Sequence, residues 1–259
     1  MHSKLSKTLV LAFHIGLGLS SATALAYESG DMIFRAGIAS VQPDDGSSNL
    51  SLSSTIPALN AGTLAGTGVS VDSAEALGLT ATYMVASNFG IEILAASPFQ
   101  HDISANLSGL GLGVADAGST KHLPPTLNFQ WFPLASNSGL QPYVGIGINY
   151  TKFFSEEVSP ALDKAVGKAA DILLGGTGSN PVPLNGKMKL EDSWGLSLEI
   201  GADYAIDEHW LLNASVWHLD IDTEATINFH NTAGAIAAQV KTDVDIDPWV
   251  YMVALGYKF

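Results

Sequence analysis

Only 14% of the 259 residues are charged, so an ionisable side chain inside an apolar run is the first place to look for chemistry. Arg35, the single arginine, sits in MIFRAGIAS. Glu92 sits in FGIEILA, Glu199 and Asp203 in LSLEIGADY, and Lys258 in LGYKF. Charges among such neighbours need opposite charges or hydrogen bonds, so the expected chemistry is a buried ion-pair network. Three other groupings invite a catalytic or ligand-binding reading. His101-Asp102-x-Ser104 has the residue types of an acyl-transfer site, but nothing fixes a base, a nucleophile and an oxyanion site together. Asp243-x-Asp245-x-Asp247 resembles half a calcium loop, yet Pro248 stands where glycine is needed and no glutamate closes it. Gly109-x-Gly111-x-Gly113 has no helix behind it to hold phosphate. No enzyme activity, cofactor or metal is expected.

Composition narrows the classes further. A net charge of −14 opposes a phosphate-gripping surface, which excludes nucleic acid as a partner. The absence of cysteine excludes disulfide and zinc-thiolate frameworks. Residues 1–26 carry Lys4 and Lys7, an apolar stretch from Thr8 to Leu19, and Ala24-Leu25-Ala26. These are the three regions of a secretory signal peptide, cleaved after Ala26, leaving one domain over 27–259. The apolar stretch, interrupted by His14, is too short to span a bilayer.

The elements that must position the charges are strands. From Ser193 to Tyr204 every second residue is apolar (Trp194, Leu196, Leu198, Ile200, Ala202, Tyr204), and the others are small or polar. Tyr143 to Phe153 alternates in the same way. Eight such segments are predicted: 31–42, 75–86, 89–98, 119–133, 142–154, 189–206, 209–228 and 240–259. Short connections at Ser87-Asn88, Leu134–Gln141 and Asp207-Glu208 alternate with long ones at 43–74, 99–118 and 155–188 and a moderate one at 229–239. An even number of strands with short turns on one side and long loops on the other predicts an antiparallel outer-membrane barrel. Outward aromatics near strand ends, among them Trp131, Trp194, Trp210, Trp249 and Tyr257, suit its two interfacial girdles. Within 155–188, Ser159-Pro160 opens a helical pattern through Leu162, Val166, Ala169 and Leu173 that Gly175-Gly176 ends. That helix either covers the mouth or packs on the loop cluster.

Several blocks resemble the OmpW family of outer-membrane proteins: Ala95-Ala96-Ser97-Pro98-Phe99 with His101, His122-Leu123-Pro124-Pro125-Thr126-Leu127, and Pro142 through Thr151. Asp192-Ser193-Trp194-Gly195, Val216 through Thr223 and Asp247-Pro248-Trp249-Val250 through Phe259 resemble it too, in family order. The resemblance implies an eight-stranded barrel with a narrow lumen, associated with uptake of small hydrophobic molecules. It also implies that Phe259 is the C-terminal aromatic read during assembly, and that Leu94 and Trp217 match apolar residues narrowing the channel.

Parity assigns the lumen. Arg35, Glu92, Gln130, Asp203 and Lys258 face inward near the end that holds both termini and the short turns. A salt-bridge plug is therefore expected at the periplasmic floor, Arg35 and Lys258 against Glu92, Asp203 and Glu199, since eight strands enclose little more than side chains. Above it Leu94 and Trp217 are large apolar groups, either packing filler or ligand-facing. Pro98, Pro124 and Pro125 remove ladder donors from adjacent strands, which either marks a lateral opening or simply ends the strands. The expected function is passive uptake of small hydrophobic or amphipathic molecules by a monomer, released sideways into the membrane. A structural, adhesive or receptor barrel is the alternative. Asp220, Asp222 and Glu224, with Asp243, Asp245 and Asp247, form an acidic patch suited to divalent cations beside lipopolysaccharide.

Overall fold

The computed structural model describes residues 27–57, 60–134 and 138–259, so the signal-peptide reading of 1–26 lies outside it. Eight strands carry the architecture: β1 (Met32–Gln42), β2 (Ala74–Ala86), β3 (Phe89–Ala96), β4 (Thr126–Trp131), β5 (Leu140–Val158), β6 (Ser193–Ala205), β7 (Trp210–Leu219) and β8 (Trp249–Lys258). Each pairs antiparallel with its neighbour in sequence, and β8 closes on β1 from Ile33↔Lys258 to Gln42↔Trp249. This is a closed eight-stranded antiparallel barrel, as the alternation predicts.

Its surface is inside out relative to a water-soluble barrel. On β6, Leu196, Leu198 and Ile200 are 54–60% exposed, while Ser197, Glu199 and Asp203 on the other parity are at most 5% exposed. Such a face is stable only against hydrocarbon. Aromatic pairs bound it at both ends: Tyr150 with Trp194 and His218 with Trp249 above, Trp210 with Tyr257 and Phe34 with Phe259 below. From Trp194 to Tyr204 the strand rises about 33 Å, or about 25 Å vertically at the usual tilt, which is the height of an outer-membrane apolar band.

At the outer end the structure departs from the sequence reading. The predicted strands 119–133, 189–206, 209–228 and 240–259 each break at one level, at Pro124-Pro125, Glu191-Asp192, Asp220-Ile221 and Ile246–Pro248. Proline lacks the ladder donor, and Asp247 takes a left-handed conformation at φ 37°. Asp247 then accepts from the Ile221 N–H and Asp222 from the Ser193 hydroxyl, so these acids bind backbone and neighbours at the breaks. Among the described residues no three acidic or imidazole groups converge as a metal site.

Above the breaks the long connections are strands rather than open loops. Phe99–Asn106 and Val114–Leu123 form a hairpin joined by Gly68–Val71 and the outer end of β5. Asp222–His230 and Ile236–Asp245 form another, flanked by Asn185–Leu190 and Ser51–Ser54. The helix forms as predicted, as α1 (Pro160–Leu173). The Ser159 hydroxyl accepts from the Leu162 N–H at 3.1 Å, and Gly175 turns left-handed just past its end.

Candidate functional site

The lumen is filled in layers. The lowest is apolar: Tyr27, Ile33, Met84, Phe132, Tyr143, Ala205 and Leu211 pack together across the periplasmic end. The polar network lies on it. Arg35 donates through Nε (2.9 Å) and Nη2 (2.5 Å) to the two oxygens of Asp203, and through Nη1 to Thr82 (2.8 Å) and Glu92 (3.3 Å). Gln130 and Asn128 donate to Glu199 at 3.1 Å, and Thr82 links Gln130 back to Glu92. Tyr27 donates to Asp203 at 2.6 Å, and Asn213 donates to Asp203 and to the Tyr143 hydroxyl. Strands β1 through β7 all contribute a side chain to this floor or the layer beneath it. Inward glycines make room: a Cβ on Gly145 would meet Glu199 at 2.6 Å, and one on Gly201 would meet the Tyr143 ring at 2.5 Å.

The plug thus assembles from Arg35, Glu92, Gln130, Glu199 and Asp203, with two corrections. Glu199 is held by the two amides rather than by Arg35. The structure places Lys258 at the rim, its Nζ 3.8 Å from Asp31, while Leu211 and Arg35 pack over Gly256 one turn of the ladder inward. Tyr27, Thr82, Asn128, Tyr143 and Asn213 were not singled out from sequence. Inward parity marks the last four, whereas Tyr27 precedes the first strand and carries no such signal.

Above the floor, Leu94 and Trp217 are fully inward and pack with Phe99, Val250, Met252 and Ala254. Over this layer, outside the barrel proper, lies an apolar cavity of about 130 Å³. Val69, Ile103, Phe153, Ile227 and Val240 line it, and α1 roofs it with Leu162, Ala165, Val166 and Ala169. Apart from three threonines, its polar lining is His101 and His122. His101 faces inward while Asp102 and Ser104 on the same strand face away, so the three do not meet as an acyl-transfer group.

The wall is interrupted below the level at which His101 and His122 line the cavity. Pairing of β3 with β4 ends at Leu94↔Thr126 and resumes above at Phe99↔His122, with no ladder pair between them among the described residues. On the other edge, β2 holds β3 as far as Ser97, whose N–H donates to Leu77, and the next backbone bond is Asp72 N–H to Asp102. Pro98 lies exposed where both ladders are open, Pro125 is exposed, and Pro124 is buried with its carbonyl accepting from Asn149.

The family model described as OmpW matches residues 28–173 and 182–259. The chain belongs to the OmpW family. It is 42% identical over 253 residues to Outer membrane protein W of Vibrio cholerae, covering 98% of this chain and 100% of that one. The Escherichia coli Outer membrane protein W is 37% identical with the same coverage. The crystal structure of OprG from Pseudomonas aeruginosa superposes with a TM-score of 0.74 at 42% identity, covering 91% of this chain and 99% of OprG. These OmpW relatives are outer-membrane proteins of Gram-negative bacteria, in keeping with the lipid-facing girdles.

Proposed function

We propose that this OmpW-family barrel is a passive channel for small hydrophobic or amphipathic molecules, closed at the periplasmic end and releasing its solute sideways into the membrane. One observation carries the reading: an apolar cavity rests on a filled lumen, and the wall between β3 and β4 breaks just below the His122 that lines it. A solute in that cavity has charge and packed side chains below it, and the open edge between β3 and β4 begins at Leu123, one residue from His122. Burying apolar surface favours its arrival by about 25 cal/mol per Å². The barrel acts alone, without a catalytic step, in outer-membrane lipid and lipopolysaccharide.

The test is uptake of apolar solutes by vesicles with and without the protein, and by Pro98→Val. Valine restores a backbone donor, and one added hydrogen bond of about 1 kcal/mol would slow a route that must open there about fivefold. Equal flux with and without the protein would favour a structural or adhesive barrel. Unchanged flux in a folded Pro98→Val would defeat the lateral route.

A further inference from the structure

The cavity runs the height of the hairpin that stands above the barrel. His101, Ile103, Ala105 and Leu107, every second residue of one arm, line it, and its lower end reaches Val41 and Ile246 at the barrel rim. The extended chain from His101 to Leu107 rises about 20 Å. At the top the lining finishes on Leu110 and Leu112, which are 43% and 48% exposed, whereas every other lining residue is buried or half-buried. These leucines are the residues between the glycines of Gly109-x-Gly111-x-Gly113, so the motif carries an apolar pair and no phosphate cradle. Backbone bonds fix the turn. The Leu107 N–H donates to the Gly113 carbonyl at 2.7 Å, the Leu112 N–H to the Leu107 carbonyl at 3.2 Å, and the Gly109 N–H to the Gly66 carbonyl at 3.0 Å. Gly111 and Gly113 are left-handed, at φ 73° and 71°, a conformation that glycine adopts freely. The two leucines are thus held half in water by the backbone, while buried Leu107 anchors the turn.

We propose that Leu110 and Leu112 form the inlet of the cavity, an apolar lip at which uncharged hydrophobic molecules leave the external water. The inference rests on the cavity being the solute site, and it gives that route two ends. The lip is exposed at the top, and at the bottom the open edge between β3 and β4 begins at Leu123, next to His122. Apolar surface that a solute buries against the leucines favours its capture, as burial in the cavity favours its passage. A charged solute finds no partner on this path, whose polar side chains are three threonines and two histidines, so it is turned back at the lip.

The chain has no cysteine, so a thiol placed in the turn is the only one in the barrel. Leu110→Cys, Leu112→Cys and Val114→Cys would be made in the full chain and studied in outer-membrane vesicles, with naphthalene entry followed by its fluorescence. Val114 is 68% exposed beside the same turn but does not line the cavity, which makes it the control. Sulfonatoethyl methanethiosulfonate puts a charge on each thiol after folding, and dithiothreitol removes it. Charging position 110 or 112 should slow naphthalene entry roughly three- to tenfold and reversibly, while charging position 114 leaves it unchanged. A folding defect in a variant alters its starting rate but not this reversible ratio. Unchanged entry after charging positions 110 and 112, or an equal loss at 114, overturns the inlet and leaves the channel reading standing. If the native protein does not raise naphthalene entry above that of vesicles lacking it, the channel reading falls and the inlet with it. As a second readout, saturating naphthalene should slow the reagent at position 112 and not at 114. Identical slowing at both, or none, refutes the assignment.

Discussion

Replacing Arg35 with methionine tests whether the floor is held by charge or only by shape. Among the described residues of the floor the guanidinium is the one cation against three inward carboxyls, and it makes two bonds to Asp203 and one each to Glu92, Thr82 and Thr80. Methionine fills much of the volume but leaves Asp203 and Glu92 without their cation. Breaking a buried pair from one side costs about 3–5 kcal/mol, because an uncompensated charge stays behind. Asp203→Asn should cost less, about 1.5–3 kcal/mol, since Arg35 keeps Glu92 and Thr82 and retains one acceptor oxygen at position 203. The informative variant combines Arg35→Met, Asp203→Asn and Glu92→Gln. It removes every charge in the direct contact and should be more stable than Arg35→Met alone, although it carries more substitutions. Urea unfolding in lipid vesicles, followed by tryptophan emission and by the gel mobility of unheated protein, measures all three. A loss below about 1 kcal/mol for Arg35→Met, or a triple variant weaker than the single, would refute an electrostatically held floor.

Glu92→Gln should weaken the barrel without opening it to ions, because packed layers containing Tyr27 and Phe132 below and Trp217 above remain in place; planar-bilayer conductance should stay at the native level. Ser159→Ala removes the N-cap of α1, costing about 1 kcal/mol and raising hydrogen exchange at the Leu162 N–H over the cavity. His122 should stay neutral by 15N NMR down to about pH 4, where a free imidazole is charged. With its folded pKa lowered below the unfolded value near 6.5, the unfolded chain binds the extra proton first. Stability is therefore full above about pH 6.5 and falls as pH drops toward 3, by about 1.4 kcal/mol per unit. Thermal melts at pH 7 and pH 5 would show that sign.

The barrel and most of its floor were legible because strand parity is a strict code. Arg35, Glu92 and Asp203 lie on three strands far apart in sequence, yet inward parity and distance from the short turns place them together. Lys258 shares that parity and still misses the floor, since parity says nothing about where the lumen closes. The outer breaks were illegible for a related reason. On 209–228 and 240–259 the inward parity runs unchanged through the break, from Trp217 to Thr223 and from Val244 to Val250, so periodicity reads one strand where there are two. At Pro98 the parity switches instead, from Leu94 to Phe99 and His101, the one-residue slip of a bulge. The cavity was hidden because part of its lining, Val69, Ile103 and Leu162 among it, comes from segments read as loops, whose burial depends on partners distant in the chain.

A charged layer in a filled lumen needs a physical reason, because an apolar fill of the same shape would be at least as stable. Register supplies one. Slipping one strand by a single residue would turn every inward side chain toward lipid, and moving Arg35 outward would leave Asp203 and Glu92 buried without their cation, at about 3–5 kcal/mol. The bonds of Arg35 to β2, β3 and β6 therefore fix how β1 meets β8 and close the barrel in one register. If that is the floor's whole role, solute never crosses it. The triple variant, once shown to fold, should then take up apolar solutes at the native rate, while Pro98→Val slows them. Uptake that instead rises or falls severalfold in the folded triple variant would put the floor on the solute's path, and the lateral route would have to be abandoned.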